Sequence, residues 1–73
     1  MYDIYFKYAD GNDIFCPGIQ KIEIESSNGY ITLSGEQLLT SRVRIHGTIY
    51  LFSETSNTAI NSSGLLQIQI KKK

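Results

Sequence analysis

One cysteine, one histidine, one proline and no tryptophan occur in the 73 residues. Each scarcity excludes something. Cys16 has no second cysteine, so no disulfide can form within the chain. Cys16 and His46 together fall short of the four Cys/His ligands that a closed zinc site needs. Neither sign of charge predominates: 7 basic and 7 acidic residues give a net charge of 0. There is then no global electrostatic pull toward nucleic acid or an anionic membrane. No run approaches the roughly 20 apolar residues of a membrane span. Residues 1–13 lack the basic start and apolar centre of a secretory signal. With an unpaired cysteine, that points to the cytoplasm. Gly29, Gly35 and Gly47 stand alone, so no phosphate-cradling glycine loop is present.

The apolar fraction, 41%, is that of an ordinary globular domain. The length suits a single domain over residues 1–73, ending in a solvated lysine tail at 71–73. A domain this small buries only about 60% of its unfolded surface and is marginally stable. With no disulfide or metal cage to add stability, self-association is the device left over.

Most of the chain alternates between apolar and polar residues, the period of a strand. Gln20–Gly35 carries the clearest signal. Two alternating runs flank Asn28-Gly29, which predicts a two-residue type I′ turn. In that register Ser27 faces Tyr30 and Ile24 faces Leu33. Ile22, Ile24, Ile31 and Leu33 then share one face, with Glu23, Glu25, Tyr30, Thr32 and Ser34 on the other.

Residues 2–9 predict a strand with Tyr2, Ile4, Phe6 and Tyr8 on one face, followed by a turn at Asp10-Gly11. Phe15, on a short strand over 14–16, is expected beside that face, and Pro17-Gly18 to break the strand. Ser34 and Gln37 fit a capping box, hence one helical turn near 35–40. Residues 42–53 predict the longest strand, bent or divided at Gly47. Residues 54–64 read as a polar loop. A final strand over 65–70 points Leu66, Ile68 and Ile70 inward. The fold expected is all-β: a small antiparallel barrel or roll, SH3-like or OB-like, of about six or seven short strands. A two-sheet sandwich is the alternative.

Little chemistry is legible. His46 lies between Arg44 and Thr48 with no acid placed to orient it. Cys16, between Phe15 and Pro17, reads as a buried, inert thiol. Glu23 and Glu25 share one strand face rather than converging from different elements. Asp10, Asn12 and Asp13 lack the spacing of a calcium loop. No catalytic, metal or cofactor residues are therefore assigned. The functional candidates are surfaces. Arg42, Arg44, His46, Tyr50 and Phe52 would share the outer face of the long strand, where cations and aromatics could track a nucleic acid. The terminal strands offer edge contacts through Tyr2, Ile4, Phe6, Leu66, Ile68 and Ile70, because they carry few charges to guard an open edge.

The expected function is a non-enzymatic interaction or regulatory module. It would bind another protein or itself, most simply as a homodimer, and need no cofactor or membrane. An accessory protein of a phage or mobile element would suit so short a chain. The rivals are a nucleic-acid-binding barrel using the Arg42–Phe52 face and a structural subunit of a larger particle. Strand–Asp-Gly–strand–Asn-Gly–strand patterns recur in unrelated small β domains and name no family.

Overall fold

The alternation of apolar residues becomes six strands around one apolar interior. A computed structural model describes residues 1–42 and 45–73; Val43 and Arg44 lie outside the described residues. The elements are β1 (Tyr2–Tyr8), β2 (Asp13–Ser26), β3 (Gly29–Ser34), a one-turn helix α1 (Gln37–Thr40), β4 (Thr48–Ser53), β5 (Asn57–Asn61) and β6 (Leu65–Lys72). All pairings are antiparallel, in the order β5-β4-β2-β1-β6, with β3 on β2. The fold is all-β as the patterning implies. No ladder among the described residues joins β6 to β3 or β5, so the sheet is open rather than a closed barrel. No described helix is long and apolar enough to cross a membrane.

The 14-residue β2 organises the sheet. Its first half pairs with β1, and its second half with β3 and β4. The expected break at Pro17-Gly18 is instead a bulge within one strand. The register slips there, between the Ile4–Cys16 and Tyr2–Ile19 pairs. Proline is tolerated at a bulge because no ladder bond is asked of it. Gly18 takes a φ of 68°, and its N–H donates to Asp3 Oδ1 at 3.2 Å.

Phe6, Ile4, Ile24, Ile49 and Leu51 are the largest fully buried side chains. Each contributes about 1.5–3 kcal/mol of apolar burial. Leu38 of α1 and Ile60 of β5 join the same core. The helical turn forms where expected but not through the capping box: its N-cap is Glu36, with no side-chain cap bond, and Ser34 is tied to it only by its N–H donating to Gln37 Oε1 at 3.1 Å.

Three local expectations need correction. The β2–β3 ladder pairs Ser26 with Gly29 and Ile24 with Ile31, offset by two residues from the type I′ register. Two is the side-chain period, so the faces survive the offset. Ser27 and Asn28 are the turn residues and have negative φ; only Gly29, at 115°, is positive. The Ser26 hydroxyl closes this turn by donating to the Gly29 carbonyl at 3.1 Å.

The predicted strand over 42–53 begins only at Thr48. Gly47, with a φ of 76°, is pinned ahead of it: its carbonyl accepts from the Ser62 N–H at 3.0 Å and hydroxyl at 2.8 Å. The loop expected over 54–64 contains β5, whose Ile60 pairs with Ile49.

Candidate functional site

The alternation in β1 buries Tyr2, Ile4 and Phe6 and turns Asp3, Tyr5 and Lys7 outward. On β2, Cys16 faces inward opposite Ile4, and this forces its neighbour Phe15 outward, opposite Tyr5. Phe15 therefore does not join the inner face as the sequence suggested. It stacks on Tyr5 with ring centroids 4.7 Å apart and planes 29° from parallel. Phe15 is 50% exposed, Tyr5 39% and Ile14 38%. On the other side of Tyr5, from β6, the Lys71 ammonium lies 5.6 Å from the ring centroid. Gln67 and Gln69 pair with Lys7 and Tyr5 across the β1–β6 ladder. Tyr5, Phe15, Gln67 and Gln69 line a shallow hollow of about 310 Å³, rimmed by the Lys7–Asp13 cross-strand pair.

A second outer face lies on β3, the far half of β2 and β4. Tyr30 and Tyr50 meet edge to face at 6.1 Å. The Lys21 ammonium sits 4.5 Å above the Phe52 ring and 3.7 Å from Glu23. Partial desolvation, then the neighbouring Tyr30 and Glu25, push the Tyr50 hydroxyl above its ordinary pKa. Tyr30 remains 61% exposed despite its contact with Tyr50.

The proposed Arg42–Phe52 surface is divided by the fold. Tyr50 and Phe52 stand on the outer face of β4, whereas Arg42 and His46 are exposed residues outside any strand. Arg42 borders an apolar crevice on the inner side of the sheet with Ile22, Leu38 and Ile70. Arg44 lies outside the described residues.

The edge candidates also separate. β1 is internal, with β2 on one side and β6 on the other, so Tyr2, Ile4 and Phe6 are core residues rather than edge contacts. β6 is the outer strand. Its ladder steps from Lys7–Gln67 to Tyr8–Leu65, which leaves Leu66 at a bulge. Leu66 is consequently 67% exposed instead of inward, while Ile68 and Ile70 are half-buried. The strand continues through Lys71 and Lys72 into the predicted lysine tail.

The remaining reactive groups are structural in their surroundings. Cys16 is buried, and burial pushes its thiol pKa up. Asp10 accepts from the Asn12 N–H at 2.9 Å and from its side-chain amide at 3.1 Å. These bonds hold its carboxyl below the ordinary value. The Tyr8 hydroxyl donates to the Asn61 carbonyl at 2.8 Å, and desolvation raises its pKa. No cluster of three or more metal-binding side chains occurs among the described residues.

Sequence reasoning missed the outward Tyr5–Phe15 pair. The signal that could have found it is Cys16: placing that thiol in the core fixes the opposite orientation for Phe15. No family model, curated protein or solved structure matches the chain.

Proposed function

We propose that the protein is a non-enzymatic interaction module that binds another protein, a second copy of itself, or both. The observation carrying this reading is the exposed, stacked pair of Tyr5 and Phe15 on the outer face of β1 and β2. Large apolar side chains grouped on a surface mark interaction sites, and aromatic residues are enriched there. The group rests on the most firmly paired part of the sheet, since β1 is bonded on both sides. A rigid support keeps the ordering cost of binding low. Exposed Leu66 and half-buried Ile68 and Ile70 on the outer strand supply a surface for a second copy.

The test is affinity capture from the native host with the wild-type protein and with Phe15→Ala. Phe15 is half-exposed, so the variant should fold with a nearly unchanged melting temperature. A partner held by the wild type and lost by the variant is the expected result. Equal capture by both would overturn the assignment of this face.

A further inference from the structure

We infer that the corner between Tyr30 and Tyr50, with the Glu25 carboxylate beside it, binds the ammonium of a lysine side chain on another protein. This rests on the interaction-module reading but concerns a different face from the Tyr5–Phe15 pair. Three strands build the corner. β3 and β4 flank β2 on opposite sides at the level of Glu23 and Ile24. Their backbones stand about 10 Å apart across β2, yet the Tyr30 and Tyr50 ring centroids are 6.1 Å apart. The rings therefore lean toward each other over β2, whose outward residues there are Glu23 and Glu25. Their planes meet at 67°, which leaves a wedge between two ring faces. Tyr30 is largely exposed, so its ring is accessible to a ligand.

The chain itself shows which ligand such a corner takes. On the same face, the Lys21 ammonium lies 4.5 Å from the Phe52 ring centroid and 3.7 Å from Glu23. Two residues closer to the hairpin turn, Tyr50 replaces Phe52 on β4 and Glu25 replaces Glu23 on β2. Ring and carboxylate recur there. The lysine does not, because the position matching Lys21 is Glu23. Glu25 makes no ion pair among the described residues. Its carboxylate stands against Gly47, where an added Cβ would lie 3.4 Å from Oε2. Its charge reaches the corner: after partial desolvation and Tyr30, Glu25 helps to raise the Tyr50 hydroxyl pKa. On the outer face of β3, β4 and the far half of β2, one lysine stands against two glutamates, a net charge of −1. Aromatic faces also attract cations, so rings and carboxylates select the same sign. A compact ammonium fits between two ring faces, whereas a planar guanidinium stacks flat on one.

The experiment is an NMR titration of the full chain with Nα-acetyl-lysine amide at constant ionic strength. Parallel titrations use the same compound acetylated at Nε, which is neutral, and Nα-acetyl-arginine amide. One exposed cation–ring contact is weak, so the titration runs to about 50 mM. The expected result is saturable shifts centred on Tyr30, Tyr50 and Glu25 with the lysine compound. The arginine compound should bind more weakly and the neutral one should not saturate. Tyr30→Ala and Glu25→Gln should each weaken binding at least about threefold. Phe15→Ala, on the other face, should leave it unchanged. Both corner residues are at least partly exposed, so thermal melts should show the variants folded. No saturation, shifts centred elsewhere, or unchanged binding in both corner variants would overturn the inference. An equal response to the neutral or the arginine compound would overturn it too. Should the lysine compound fail while host capture still depends on Phe15, the cation site falls and the interaction-module reading stands.

Discussion

At the residue scale, Gly29 holds the least replaceable position in the central hairpin. Its φ of 115° is rarely adopted by L side chains, and a β-branched residue there is a genuine outlier. The space around it is open, so a substitution acts through backbone strain alone. Gly29→Val should destabilise the fold by more than about 1 kcal/mol, or roughly 4–8 °C in melting temperature for a domain of this size. Asn28→Ala should stay within about 0.5 kcal/mol, because Asn28 has negative φ and bears no special backbone demand. Thermal melts of the two variants separate this turn from a type I′ turn, in which both positions would be sensitive. Comparable losses in the pair would contradict the observed φ pattern.

At the element scale, strands were legible where burial and period agreed. β1, the far half of β2, and β3 each alternate cleanly, so their faces could be read before their pairings. Register was less legible, because a two-residue offset leaves every face unchanged and only the turn bonds decide it. β5 was hidden for a different reason. Asn57–Asn61 carries one buried apolar residue, Ile60, and owes its strand form to pairing with β4. Ile60→Ala should therefore cost about 2–5 kcal/mol, far more than a loop residue would. Chemical denaturation is the measurement, and a loss under about 1 kcal/mol would return this segment to loop status. The aromatic hollow escaped because it needs three strands to meet. Tyr5, Phe15 and Gln69 come from β1, β2 and β6, and local spacing along one strand cannot place them together. Of the Arg42–Phe52 residues, Tyr50 and Phe52 lie on β4, which starts at Thr48 after the pinned Gly47, while Arg42 and His46 lie outside it and Arg44 is outside the described residues.

At the scale of the whole molecule, pairing of the first strand with the last removes one of the two edges expected to drive self-association. The outer β6 remains, and a dimer through it should show as a mass rising from 8.2 kDa toward twice that value with concentration. Sedimentation equilibrium up to several hundred micromolar covers the range of weak association. A constant 8.2 kDa would remove the second-copy part of the proposal and leave the aromatic face as the binding surface. The same β1–β6 pairing has a mechanical meaning. Tyr2 pairs with Lys72, and the Lys73 N–H donates to the Met1 carbonyl at 3.0 Å, so residues 1 and 73 lie side by side at one end of the ladder. Tension applied between them loads the ladder bonds in succession, as in a zipper, instead of shearing all of them together. The domain would yield to a weak pull along this axis, peeling β6 from β1 while β2, β3, β4 and β5 keep their mutual bonds.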